Sequence, residues 1–294
     1  MKTSFEIRVA SRELARQFYT AAGNSFLKTI TEPVTNSDSS YKRMHVLPDA
    51  CGVIAHALEY EKGQHFDLSS WKKERKGKTT HRRIDIHIYS AKWSGHKSRT
   101  CELVDHAEGL SPDEVKAAFE QLAADKSEVS KGRPGRSLFG RGVSDVLFAH
   151  NDGCVYSYKN GVLTEASFSF DRTKDDRPRC DLYIRKRVSS SKLKSLHLLP
   201  GENGTCVTFQ LNNDCHIPEE GTIVQALSQF YMLRLINYDP DVSVRVYRYR
   251  ANHKAYDDVL EYDFPTGDVI DRFKVSIGTP VENVSLPPLI MEGI

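Results

Sequence analysis

The chain contains no C-x-x-C pair, although it carries six cysteines in 294 residues. Cys51, Cys101, Cys154, Cys180, Cys206 and Cys215 are spread thinly. Zinc sites and redox motifs need closer spacing, so the thiols are expected to be reduced and buried. No run approaches the roughly 18 to 20 consecutive apolar residues of a membrane-spanning helix. Met1 to Ala10 alternates polar and apolar residues without a signal-peptide core. These absences predict a cytoplasmic protein with no membrane partner. An excess of one charge is lacking too: Lys+Arg 41 against Asp+Glu 39 leaves a formal +2, short of the whole-domain footprint of a phosphate-backbone binder. There is no G-x-x-x-x-G-K-[ST] loop, no H-E-x-x-H, no G-x-S-x-G and no internal repeat. His81, His87 and His106 are scattered, and no metal site built on histidine is expected.

What is present is an ordinary globular composition, 39% hydrophobic with 18 Gly and 12 Pro, which suffices for a sizeable core. Alternation predicts strands at Phe5 to Val9, Arg83 to Tyr89, Thr100 to Val104, Leu182 to Ile184, Thr205 to Leu211, Val242 to Tyr249 and Val269 to Ile277. Two alternating runs from Tyr156 to Phe170 flank Asn160-Gly161, a tight-hairpin dipeptide. Helical periodicity appears from Ser25 to Arg43, where Phe26, Ile30, Val34 and Tyr41 keep one stripe apolar. Further helices are expected at Ser11 to Phe18 with Ser11 as cap, from Ser111-Pro112-Asp113-Glu114 to about Ala123, at Gly142 to His150, and at Ile223 to Ile236. Residues 61–83 are hydrophilic and rich in Lys and Arg from Lys72 to Arg83, which suits a solvated arm. The alternative is a nucleic-acid contact through residues 72–83.

Four segments carry chemistry. In Glu32-Pro33-Val34-Thr35-Asn36-Ser37-Asp38, Glu32 and Asn36 lie four residues apart, so a helix projects them from one face, offset by about 40° and roughly 6 Å along its axis. A carboxylate and a neutral oxygen donor held this way suit metal-assisted phosphate hydrolysis, one taking a proton from water and the other holding a hard cation. Asp105-His106-Ala107-Glu108-Gly109 closes a strand. A carboxylate there can accept from an exocyclic amine, and Ala107 and Gly109 let a planar base approach the backbone. Gly135-Arg136-Ser137-Leu138-Phe139-Gly140-Arg141-Gly142-Val143 leads into a helix, where unpaired N–H groups favour phosphate. Gly204-Thr205-Cys206-Val207 opens a strand whose first hydroxyl completes a polar floor.

Taken in this order, the four segments resemble the nucleotide-binding motifs of the GHKL ATPase superfamily, whose branches include gyrase B, heat-shock chaperone ATPases, MutL, MORC proteins and histidine kinases. The resemblance covers roughly residues 25–211, and the later strands are similar to the gyrase, MutL and MORC branches. It implies a Bergerat fold: an α+β two-layer sandwich, a mixed, mostly antiparallel sheet with helices on one face. It implies ATP and Mg²⁺ as ligands, ATP/ADP turnover and ATP-dependent homodimerisation. By position, Glu32 resembles the general base and Asn36 the Mg²⁺ ligand. Asp105 resembles the adenine-binding aspartate, with Ala107, Gly109 and Leu110 beside the base. Phe139, Gly140, Arg141, Gly142 and Val143 resemble the phosphate segment, and Thr205 the threonine near the adenine. The implied organisation is an ATP-binding domain over residues 1–265, with an insertion at 44–83 and a lid at 124–141. Residues 266–294 then begin a transducer-like domain, cut short, and in those branches a lysine from that domain reaches the γ-phosphate. Slow hydrolysis in isolation is therefore expected. Three departures stand out. Pro33 sits between base and metal ligand, where an interior proline costs about 3 kcal/mol unless the helix kinks or starts there. Ala107 replaces a glycine, and Ser39 replaces an acid, with Asp38 adjacent. A nucleotide-sensing scaffold with little hydrolysis is the other reading these departures allow.

Overall fold

The computed structural model describes residues 2–6, 16–45, 82–93, 95–120, 142–170, 178–239, 242–250, 253–261, 272–275 and 289–292. The chain divides into two compact units, Met1–Tyr262 and Asp263–Ile294. In the second unit, β10 (Arg272–Val275) and β11 (Leu289–Glu292) form an antiparallel pair.

The first unit is an α+β structure built on an open, mixed sheet of nine strands. These are β1 (Lys2–Glu6), β2 (Arg82–Tyr89), β3 (Thr100–Asp105), β4 (Asn151–Lys159), β5 (Val162–Ser169), β6 (Arg179–Arg185), β7 (Gly204–Gln210), β8 (Val242–Arg250) and β9 (His253–Val259). Their order is β1-β6-β5-β4-β7-β3-β2-β8-β9. Among the described residues only β2 and β8 run parallel, and the other pairs are antiparallel. The β4–β5 hairpin turns at Asn160 (φ 50°) and Gly161 (φ 82°), the two positive-φ positions that make this dipeptide the preferred hairpin turn.

The helices are α1 (Phe26–His45), α2 (Pro112–Phe119), α3 (Gly142–Ala149), α4 (Ser190–Ser195), α5 (Glu220–Ser228) and α6 (Arg234–Tyr238), with a π-helical turn at Tyr19–Gly23 ahead of α1. The α1 stripe Phe26, Ile30, Val34 and Tyr41 is buried as its period predicts, against Ile84, Ile86 and Ile88 of β2 and Leu103 of β3. Pro33 does not end the helix, which runs through it. A full capping box starts α2: Ser111 Oγ accepts from Glu114 N–H, and the Glu114 carboxylate accepts from Ser111 N–H at 2.6 Å. A buried relay ties α1 to α3. Asn212 N–H donates to His150 Nδ1 at 3.3 Å, so the proton sits on Nε2 and points at Thr29 Oγ1, 2.9 Å away. Thr29 Oγ1 in turn donates to Ala22 C=O at 2.7 Å, and Asn212 Nδ2 donates to the carbonyls of Gly23 and Ala149.

Several expectations are corrected. The single helix expected over Ile223 to Ile236 is two, α5 and α6, separated at Gln229–Leu233. Asn237 Nδ2 donates to Leu227 C=O at 3.1 Å, satisfying a carbonyl that a continuous helix would have used. Helices do not lie on one face only. Leu193 of α4, with Leu196 and Leu198, packs on Val104 and Cys206, which alternate along their strands with the residues of the main core. At the borders of the expected insertion at 44–83, Met44 and His45 belong to α1, and Arg82 and Arg83 open β2. Its remainder, the expected lid at 124–141, the Ser11 cap and most of the Val269 to Ile277 run lie outside the described residues. The strand β9 and the helix α4 had no counterpart in the sequence reading.

The five described cysteines, Cys101, Cys154, Cys180, Cys206 and Cys215, are free and buried. Burial pushes the Cys154 thiol up to about 11. On the face opposite α1, rings stand in a ladder: His87 stacks on His197 at 3.9 Å and on Tyr247 at 4.6 Å, and Tyr89 stacks on His96 at 3.9 Å. Buried Glu102 ties them together, 3.2 Å from His96 Nδ1 and 3.4 Å from His197 Nε2. Burial pushes Glu102 up, but the hydrogen bonds from His197 and His96 outweigh it and hold the carboxyl at about 2. Burial, then the neighbouring His197, pulls His87 down to about 3. No helix among the described residues is long and apolar enough to cross a membrane.

Candidate functional site

A cavity of about 290 Å³ opens where α1 passes over the ends of β3 and β7. Its wall on α1 is Pro33, Asn36, Ser37 and Ser40, an i, i+3, i+4, i+7 stripe alongside the apolar one. Asp105 and Thr205, opposite each other in the β3–β7 register, form the polar floor. Leu110, Ala118, Phe119, Val155 and Val207 supply apolar walls, and Gly142, Val143 and Ser144 bring the first turn of α3 to the rim. The volume is at the small end for a ligand pocket, and the mixture of apolar walls with a few convergent polar groups is what such pockets use.

Asp105 is 5% exposed and its two carboxylate oxygens are held differently. Oδ2 accepts from Ser37 Oγ at 2.8 Å, and Oδ1 accepts from Ala107 N–H at 3.1 Å. An ionised carboxylate can accept about four hydrogen bonds, and this one lines the cavity in a fixed orientation. The loop after Asp105 is braced from α1. Tyr41 Oη accepts from His106 N–H at 2.9 Å and donates to Arg83 C=O at 2.7 Å. Burial pushes the Tyr41 hydroxyl up to about 12, so it stays a neutral donor.

Ala107 and Gly109 shape the site without facing it. Ala107 is fully buried in the main core. Gly109 has φ 60°, and a Cβ there would lie 2.5 Å from Tyr158 C=O. Leu110 N–H donates to Ser157 Oγ at 2.6 Å and holds the Leu110 side chain at the cavity wall.

Glu32 is not in the cavity wall but beside it, its carboxylate packed on the Cα of Gly142. Burial, then the nearby negative charge of Asp145, raises its affinity for a proton. Asn36, one turn along α1, is exposed at the cavity wall. The structure therefore brings Asn36, Asp105, Leu110, Gly142, Val143 and Thr205 to one cavity and Glu32 to its edge. Phe139, Gly140 and Arg141 lie outside the described residues. Among the described residues no three His, Cys, Asp or Glu gather to hold a metal ion. Asn36 is a single oxygen donor, which matches Mg²⁺, a cation that keeps waters and phosphate oxygens and takes few protein ligands.

The sequence reading gave no site role to Ser37 and Val207, although both lie within its candidate segments, nor to Ser40, Ala118, Phe119, Ser144 and Val155. For Ser37 and Ser40 a signal existed, the second stripe of α1 on which Asn36 also lies. The apolar wall carried none, because its residues read as ordinary core.

At the arm, Arg82 is buried between Asp239 (2.7 Å) and Asp38 (3.7 Å), while Arg83 donates to Asp85 (2.8 Å) and to the Tyr247 hydroxyl. Compared with protein-family models and with curated proteins, the chain matches none.

Proposed function

We propose that this chain is an ATP-binding, Mg²⁺-dependent ATP-hydrolysing module of the GHKL type, with a Bergerat fold, serving a larger protein that closes and homodimerises on ATP. One observation carries the proposal. A buried strand-end carboxylate, Asp105, faces the same cavity as Asn36, while Glu32, one turn earlier on the same helix, meets the glycine that opens α3. Asp105, oriented by Ser37 and Ala107, accepts from the exocyclic amine of adenine, with Thr205 beside it. Leu110, Phe119, Val155 and Val207 cover the base. The first turn of α3 offers unpaired N–H groups and the positive end of its dipole to phosphate. Phe139, Gly140 and Arg141, in the 124–141 segment proposed as the lid, are assigned to phosphate by the sequence resemblance alone. Asn36 would hold Mg²⁺ together with phosphate oxygens, and the ion would neutralise charge developing on them. Glu32 takes the proton of the attacking water, and its raised proton affinity brings it nearer the operating pH, where a general base is most effective.

Calorimetric titration with ATP, alongside ADP release, tests this for the parent and Glu32→Gln. The expected outcome is equal affinity and turnover lowered about 10²- to 10⁴-fold. Equal turnover would leave a nucleotide-sensing scaffold. No heat of binding in either protein removes the nucleotide reading altogether.

A further inference from the structure

Under the proposed function, Gly142 serves as a backbone contact for phosphate; its surroundings point to a different duty. A Cβ built on Gly142 would fall on Glu32 Oε2, and would lie 2.6 Å from Glu32 Cδ and 3.2 Å from Cγ. Outside the adjacent residues and the backbone of α3 itself, the three described heavy atoms nearest that Cβ all belong to the Glu32 side chain. Gly142 is also absent from the glycines with positive φ, so the α3 backbone itself accepts an L-residue there. Alanine is moreover the better helix former. The group that an added side chain at this position meets first is the Glu32 carboxylate.

Two features hold that carboxylate in place. Its helix is pinned near Thr29 by the His150–Asn212 relay, which also anchors the far end of α3 through Ala149 C=O. The carboxylate sits at the N-terminal end of α3, where the helix dipole favours negative charge. Asp145, one turn into α3 on the same side as Gly142, opposes that attraction and adds to the raised proton affinity of Glu32.

We propose that Gly142 is a positioning residue for Glu32: the space left by its missing side chain is the seat of the carboxylate, and any larger residue there moves the base without unfolding the protein. The proposal rests on the assignment of Glu32 as the base for its catalytic consequence, and not for the seat itself.

The test uses the full chain as parent, Gly142→Ala, Glu32→Ala and the double variant. Gly142→Ala is expected to lower kcat by about 10²-fold while the KM and Kd for ATP stay within about twofold and the thermal midpoint does not fall. Added to Glu32→Ala, it is expected to change nothing further. A weakening of ATP binding by Gly142→Ala of the same size in both backgrounds would show a phosphate contact and overturn the proposal. A second readout is independent of turnover: the carboxyl-carbon NMR titration of Glu32 in the nucleotide-free protein. In Gly142→Ala its midpoint is expected to fall toward the ordinary glutamate value as the group leaves its buried seat. An unmoved midpoint overturns the seat, whatever the activity. A moved midpoint together with undiminished hydrolysis by Glu32→Ala would retain the seat and refute Glu32 as base.

Discussion

Replacing Asp105 by Asn changes one oxygen of a buried group into an NH₂ and removes its charge, with almost no change in shape. In the parent, both oxygens act as acceptors, Oδ2 from Ser37 Oγ at 2.8 Å and Oδ1 from Ala107 N–H at 3.1 Å. Asparagine can satisfy only one of these with its carbonyl; if it keeps Ala107, its NH₂ faces Ser37 and the cavity. Ser37 Oγ can rotate to accept, since a hydroxyl serves in either sense. An incoming exocyclic amine cannot, and it meets a donor where it needs an acceptor. A hydrogen bond to a charged group contributes about 1.5–3 kcal/mol, so the Kd for ATP should rise about 10- to 150-fold. Titration calorimetry at one fixed salt concentration measures this directly, and a parallel urea melt shows whether the fold has survived. An Asp105→Asn variant that binds ATP within a factor of two of the parent would refute the role given to Asp105.

Three other outcomes follow from the geometry. Gly109→Ala combines a left-handed φ of 60° with a Cβ 2.5 Å from Tyr158 C=O, and should lower unfolding free energy by about 2–5 kcal/mol in urea melts. Arg82→Ala removes the buried cation that Asp239 and Asp38 share, and should cost about 3–5 kcal/mol by the same measurement. The folded protein holds His87 at about 3, below its ordinary 6.5. Between those values the unfolded chain binds a proton that the folded one refuses, so stability should fall as pH drops from 6.5 toward 3. Thermal midpoints across that range should fall less steeply in His87→Phe, which keeps the stacking, than in the parent.

The local signals in the chain were legible where one energetic term dominated. Phe26, Ile30, Val34 and Tyr41 had to share a face, Asn160-Gly161 had to turn, and Ser111-Pro112 had to open a helix; each stands as expected. The break between α5 and α6 was not legible, because Ile223 to Ile236 keeps a helical period while the Asn237–Leu227 hydrogen bond that ends the first helix is tertiary. The reverse face was missed for a similar reason. Leu193, Leu196 and Leu198 were given no element in the sequence, and only the pleat of β3 and β7 shows that they have a surface to cover. At the site, the charged and hydrogen-bonding residues were found by their chemistry and spacing. The packing of Glu32 on Gly142, far apart in sequence, was not, since no local pattern encodes which side chain fills the space a glycine leaves.

The order of strands in the sheet has a consequence for synthesis. β3 ends at Asp105, yet one of its two neighbours, β7, begins at Gly204, and β2 must wait for β8, which begins at Val242. On a ribosome adding about 5–20 residues per second, the floor of the cavity stays incomplete for roughly 5 to 20 s after Asp105 is made. Throughout that interval the β2–β3 pair that carries Ile84, Ile86, Ile88 and Leu103 lacks both of its flanking strands, β8 and β7. Chaperone demand during translation should therefore be concentrated in this window, and slowing the ribosome between residues 105 and 204 should reduce the yield of folded protein.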